Sequence, residues 1–403
     1  MNKTINTNLI NSFLLSLLLG NQLLSANSNF NIDINSNGTI HNGYIFEQNT
    51  VNGIVNNTFN LAFGGNISLN MKIKKNITYY NSIYFTKSLN HELETTPASS
   101  YQKILNNNQD FIYFGENYFS IEPNKFTNLM IGYQSFDLPF FNTDELFIKN
   151  SYQSLVMEYI GIDNLYLNLG YINKMAGNIN NNSITVDYSY LYGNPINSNI
   201  GQVSYLYLNT KFKNIFINGF FANINNIANT FYINTENIQN ISDNINLKLK
   251  FNSELSMISE ISNSGYSGFI YGLKGTFIYN NLYSLSFAYN NIEKSDYYNN
   301  INITRGQSPY LTSTSGYSIE NNNDISSAFN IGISKETFNY KLSFNYFISS
   351  NYVNNSISAT EITYKYKFNK NFNFYTELNY INQNNGFIEN NQLTLFSSLN
   401  YQW

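Results

Sequence analysis

The stretch QLTLFSSLNYQW, Gln392 to Trp403, decides how the rest of the chain is read. Leu393, Leu395, Leu399, Tyr401 and Trp403 fall on one face, with Ser397 the only gap; Thr394, Phe396, Ser398, Asn400 and Gln402 fall on the other. Side chains of a strand alternate with a period of two, so this is an extended segment with one apolar face and one mostly wet face. A strand of a soluble sandwich shows the same alternation. What separates the two is the end of the stretch, an aromatic residue with a Tyr two places before it.

Composition narrows the choice. A chain of 403 residues fits two soluble domains or one large barrel. Charged residues make up 11%, well below the roughly 25% usual in soluble proteins. Aromatics reach 17%, nearly all of them Tyr (35) and Phe (32). Asn, Ile, Lys, Tyr and Phe share AT-rich codons, which offers a second source for such a bias. Cysteine is absent, which removes disulfides and thiolate metal ligands. A net charge of -4 with a single arginine, Arg305, argues against a nucleic-acid binder. Residues 1–26 read as a secretory signal, with Lys3 as the charge, Phe13 to Leu19 as the apolar core and Leu24-Ser25-Ala26 as the cleavage site. No apolar run reaches the roughly 20 residues of a spanning helix. The closing stretch therefore resembles the terminal strand of a bacterial outer-membrane β-barrel, with Tyr401 and Trp403 as its assembly signal.

Residues 27–403 divide into alternating segments. Eighteen strands are expected, at 38–48, 57–72, 76–88, 113–122, 127–135, 152–161, 164–174, 202–212, 215–223, 229–236, 244–252, 267–279, 282–292, 324–334, 338–348, 356–368, 371–382 and 390–402. Their connections mostly alternate between tight turns (Ile162-Asp163, Lys213-Asn214, Asn280-Asn281) and long loops at 89–112, 136–151, 175–201 and 293–323. Short turns at one rim and long loops at the other describe a transmembrane antiparallel barrel. Backbone groups in lipid need partners, so the sheet must close on itself. Apolar runs such as Ile67, Leu69, Met71 and Ile73, or Leu206, Leu208 and Phe212, would face the lipid.

The opposite face would line the lumen. Four lysine pairs fall there: Lys72 and Lys74, Lys211 and Lys213, Lys248 and Lys250, Lys365 and Lys367. A lysine facing lipid at the midplane costs about 2–4 kcal/mol, which leaves the lumen or a rim. Two readings stand for these pairs, a ladder guiding anions or lysines snorkelling at the periplasmic rim. Three pairs border turns and suit the rim; Lys248 and Lys250 suit the ladder. Glu116, Glu122, Glu158 and Glu377 also face inward, either setting a transverse field against the lysines or forming a solvated wall.

The third loop stands out. Ser135 to Asn150, SFDLPFFNTDELFIKN, holds four Phe and the charges Asp137, Asp144, Glu145 and Lys149. Folded into the lumen, its rings pack on the wall while its acids narrow the opening and favour cations. Packed among other outer loops, it would do neither. The region from Leu129 to Gly177 resembles the third-loop region of the OprD family of outer-membrane porins, in its epsilon-proteobacterial branch. Gly132-Tyr133-Gln134, Asp137, Pro139, Asn142, Asp144, Asn150-Ser151-Tyr152 and Gly170-Tyr171-Ile172 with Lys174 carry the resemblance. It implies an 18-stranded channel, monomeric or trimeric, with an inward third extracellular loop as its eyelet for small hydrophilic solutes. Family members often place an Arg after the acidic pair; here Leu146-Phe147 follows. A general or cation-leaning pore is the resulting expectation.

Other functions fit less well. His41 and His91 are the only histidines, and His91 beside Glu92 and Glu94 reads as an exposed polar loop, so neither catalysis nor a metal or cofactor site is expected. An adhesin or structural surface barrel acting through its long loops is the alternative. The expected surroundings are outer-membrane lipid, the assembly machinery, small solutes or ions, and a possible homotrimer.

Overall fold

The computed structural model describes residues 33–89, 111–142, 149–176, 185–187, 202–261, 267–293, 308–314, 325–351, 356–384 and 389–403. The expected signal segment 1–26 lies outside them, as do His91, Asp144, Glu145 and Arg305. The extended segments are β1 (Asp33–Val51), β2 (Ile54–Lys74), β3 (Ile77–Ser88), β4 (Phe111–Asn124), β5 (Thr127–Gln134), β6 (Ser151–Ile162), β7 (Leu165–Ala176), β8 (Thr185–Asp187), β9 (Val203–Phe212) and β10 (Ile215–Ile224). They continue as β11 (Ala228–Ser242), β12 (Leu247–Glu260), β13 (Gly268–Tyr279), β14 (Tyr283–Glu293), β15 (Ile325–Glu336), β16 (Tyr340–Asn351), β17 (Ser356–Lys367), β18 (Phe372–Asn384) and β19 (Glu389–Gln402).

Eighteen of these build one closed antiparallel sheet, and no helix occurs among the described residues. The seam joins β1 to β19, from Thr39 opposite Gln402 to Val51 opposite Asn390. The remaining segment, β8, pairs only with the last three residues of β7, while β7 pairs directly with β9 over Leu165–Ile172. Each of the eighteen expected strands falls on one barrel strand. The offsets are largest for β11 and β12, expected at 229–236 and 244–252, which run on to Ser242 and Glu260. The first strand also starts earlier than expected, at Asp33 rather than 38.

The turns at one rim are made largely by asparagine. Asn164, Asn246, Asn280 and Asn281, with Lys213, adopt positive φ, a left-handed conformation that Asn tolerates better than most residues. Asparagine also explains part of the wall. In Tyr166-Leu-Asn168 and Tyr232-Ile-Asn234 the Asn amide donates to the phenol oxygen two residues earlier, at 3.1 Å in both. Residues i and i+2 share a face of a strand, so a Tyr-x-Asn pattern satisfies its own polar atoms along one edge.

The two faces differ as a barrel requires. Leu206, Phe251, Leu273 and Ile333 are exposed on the outside, while their sequence neighbours Tyr205, Asn252, Gly272 and Gly332 are buried on the inner face. At the turn rim the outer belt is uneven. On β13 to β17 it carries Tyr279, Tyr283, Tyr340, Tyr364 and Tyr366; on β7, β9 and β10 it carries Leu165, Leu167, Leu208, Ile215 and Ile217, with Phe212 the ring among them. Lys335 sits in the aromatic part, its ammonium 5.4 Å from the Tyr283 ring centre and 5.7 Å from that of Tyr340.

Candidate functional site

The inner surface is densest where the segment after β5 meets the wall of β9 to β12. Gly132 near the end of β5 has φ +132, and a Cβ there would lie 2.2 Å from the Asn117 carbonyl oxygen, so only glycine fits this kink before the loop. The chain then turns over Leu138, whose carbonyl accepts from Phe141 N at 3.1 Å and Asn142 N at 3.0 Å. Phe140 takes φ +69 at this tip, and its side chain is 1% exposed. Its ring centre lies 5.8 Å from Phe220, 5.6 Å from Tyr232 and 5.9 Å from Tyr310. Phe136 and Phe141 pack on Tyr152 at 5.4 and 5.5 Å. A non-glycine residue at positive φ costs about 1–3 kcal/mol, which burial of this ring offsets.

Beside these rings is a polar cavity of about 360 Å³. Asp137, Tyr207, Asn218, Tyr232, Asn234 and Glu236 are among its lining residues, with Ser308 and Pro309 on a second loop segment. Asp137 is exposed and accepts from the Asn142 amide at 2.6 Å. Glu236 is paired with Lys250 at 2.6 Å and accepts from the Asn252 amide at 3.3 Å. The surface is therefore built of amides, phenols and a balanced ion pair, with the Asp137 carboxylate open to water.

The other residues singled out in the sequence are dispersed. Lys72, Lys74, Lys365 and Lys367 are exposed at the turn-side ends of β2 and β17. Lys211 stands over the Phe216 ring at 4.8 Å, and Lys213 is a turn residue over Phe212 at 5.5 Å. Lys248, expected further from a turn, is the second residue of β12 and donates to Asn281 in the next turn at 2.9 Å. The expected strand began three residues too early, which displaced it from the rim on paper. Glu116 accepts from the Ser135 hydroxyl at 2.6 Å, and Glu158 accepts from Tyr166 at 2.5 Å and Asn128 at 3.0 Å. Glu377 accepts from Tyr375 and Asn379, whereas Glu122 is exposed. Lys149 is half-buried, with its carbonyl accepting from Tyr113 at 2.5 Å. Tyr401 and Trp403 stack at 6.2 Å, and Trp403 N donates to the Gly38 carbonyl at 3.2 Å across the seam.

No protein-family model matches the chain, and no curated protein does. Solved structures match along nearly its full length. OccK9 (OpdG) of Pseudomonas aeruginosa gives a TM-score of 0.73 at 12% identity, covering 92% of this chain and 99% of that one. OccAB3 of Acinetobacter baumannii gives 0.71 at 12% identity over 92% and 100%, and OccAB4 of the same organism gives 0.68 at 13% over 92% and 98%. The chain shares the 18-stranded barrel fold of these porin structures.

Within this barrel the sequence reading passed over several inner-wall groups. Glu254 and Asn290 are almost fully buried at 5% and 0% exposure, and Lys274 lies opposite Asn252 on the same wall. Alternation from Phe251 and Leu255 outward would have placed Glu254 on the inner face. The expected strand stopped at 252, so the pattern was not followed far enough.

Proposed function

We propose that this protein is an outer-membrane porin of the OprD/Occ type, a water-filled channel for passive diffusion of small hydrophilic solutes with a leaning toward cations. One observation carries the reading. A closed barrel with an apolar outside encloses a wall of amides, phenols and carboxylates, and the aromatic tip at Phe140 packs against that wall. Burying so many polar groups inside a sealed cylinder is costly unless water or solute meets them.

The third loop acts as the constriction in this proposal. Support comes from the cage of rings around Phe140 and from Asp137, exposed beside the cavity. Asp144 and Glu145 join Asp137 as its acids, with Lys149 as the counter-charge. The lysines at the turn rim act as snorkelling anchors and Lys250 as a neutralised wall charge. Membership of the epsilon-proteobacterial branch rests on the Gly132-Tyr133-Gln134 and Asn150-Ser151-Tyr152 motifs. Tyr401 and Trp403 serve as the signal to the assembly machinery.

Planar-bilayer recording of refolded protein tests the function. Stable conductance steps with a cation-directed reversal potential in a salt gradient are expected; a folded barrel that passes no current overturns the proposal.

A further inference from the structure

Resting on the constriction reading above, we infer that Glu254 is a positioning residue, which pins residues 309–312 to the barrel wall and through Tyr310 sets the position of Phe140. Glu254 on β12, Gly272 on β13 and Asn290 on β14 stand in one cross-strand row. The Asn290 amide donates to Glu254 Oε1 at 2.5 Å, a bond that reaches over the strand between them. It does so because residue 272 has no side chain. A Cβ on Gly272 would lie 2.2 Å from Asn290 Nδ2 and 2.8 Å from Glu254 Oε1.

The bridged pair offers two acceptors side by side, and two successive amides take them. Leu311 N donates to Glu254 Oε1 at 2.8 Å, and Thr312 N donates to Asn290 Oδ1 at 3.0 Å. The Tyr232 hydroxyl lies 3.1 Å from Glu254 Oε2 and 3.2 Å from the Pro309 carbonyl, while Asn330 donates to the Thr312 carbonyl at 3.3 Å. Tyr310 is left projecting between them, its hydroxyl 3.2 Å from Ser256 Oγ and its ring against Phe140. The buried carboxylate thus orders a loop segment that touches the aromatic tip through Tyr310. An acid placed for charge selectivity would face the opening; this one is 5% exposed and has its oxygens occupied by the loop and the wall.

The chain has no cysteine, so a single thiol reports on the segment. Thr312 is 0% exposed and its hydroxyl makes no hydrogen bond, which makes Thr312→Cys a mild replacement. In detergent, a maleimide should label this thiol slowly in the parent. Labelling should rise about tenfold in Glu254→Ala and Gly272→Ala, the scale set by losing a charge-assisted hydrogen bond that holds a local closed state. Glu254→Gln keeps an acceptor for Leu311 and should stay slow. Leu311→Pro, on the loop segment rather than on a barrel strand, deletes the same bond should the wall variants fail to fold. The same variants should show larger single-channel conductance and noisier open currents, again with Glu254→Gln close to the parent. Unchanged labelling in Glu254→Ala, Gly272→Ala and Leu311→Pro overturns the inference. So does faster labelling with unaltered conductance, because the segment would then be held without positioning the tip. A parent barrel that carries no current at all sinks the porin reading instead, while the labelling result stands by itself.

Discussion

Lys250 lies 2.6 Å from Glu236 on the neighbouring strand, so the residue expected to lead a basic ladder is tied to an acid. A paired ammonium adds little net field to the passage, and the partly exposed geometry limits the pair to about 0–1 kcal/mol of stability. Lys250→Ala should therefore leave the fold intact and release the Glu236 carboxylate, moving the reversal potential further toward cations. Lys250→Ala with Glu236→Ala should return it to the parent value. A shift toward anions in the single variant would show that Lys250 acts as part of a free basic ladder.

Asp137 should behave in the opposite sense. Its carboxylate is exposed beside the cavity and bonded only to the Asn142 amide among the described contacts. Asp137→Asn removes a charge with almost no change of shape, so cation preference in a salt gradient should fall while conductance stays near the parent. Neutralising Asp144 and Glu145 as well should lower it further. An unmoved reversal potential in the triple variant would take this loop out of the constriction.

Phe140 joins a strained backbone to a buried ring, and two substitutions separate them. Phe140→Ala loses the ring, a change that typically costs about 3–5 kcal/mol when the side chain is buried, and keeps a residue that disfavours φ +69. Phe140→Gly loses the same ring but relaxes the backbone, recovering about 1–3 kcal/mol. Limited proteolysis should cut the Ala variant faster than the Gly variant, the reverse of the usual order for flexible residues. Both should conduct better than the parent.

Gly132 is the point at which added bulk meets main chain. Gly132→Ala places a methyl group against the Asn117 carbonyl at a φ that L residues rarely adopt. Denaturant unfolding followed by tryptophan emission should show a loss of about 1–3 kcal/mol. A midpoint equal to the parent would mean that β4 and β5 can part locally without loss.

Leu273 tests which face meets lipid. It is 52% exposed on the outer surface, so Leu273→Lys should weaken folding into vesicles by about 2–4 kcal/mol if it sits near the midplane. A lysine at Ser256, on the inner face of the adjoining strand, should be resisted for a different reason: lack of room beside Tyr310. Equal cost in thick and thin bilayers at position 273 would argue against a lipid contact.

Strands were readable because alternation is local: Leu206, Leu208 and Phe212 reveal a face without any knowledge of neighbours. The β11–β12 region was harder since Asn237 and Asn240 look like loop residues, yet both belong to a strand, while Asn244, expected to open the next strand, lies in the turn. In a barrel with a wet interior and polar rims, asparagine does not mark an end. The aromatic tip was visible as four Phe in a short loop. Its partners Phe220, Tyr232 and Tyr310 were not, as they come from elements 80 to 170 positions away along the chain in rough terms, and only register joins them. The same holds for Glu254, Gly272 and Asn290, three unremarkable letters until strand pairing sets them in a row.

The uneven belt has a mechanical consequence. Phenol rings prefer the headgroup level, whereas leucine and isoleucine have no favoured depth within the hydrocarbon. Tyr279, Tyr283, Tyr340, Tyr364 and Tyr366 moor the molecule along one flank, and the flank of Leu165, Leu167, Leu208, Ile215 and Ile217 is left largely without moorings. In a bilayer thinner than its apolar band such a body leans, pivoting on the tyrosines, and the aliphatic side takes up the mismatch.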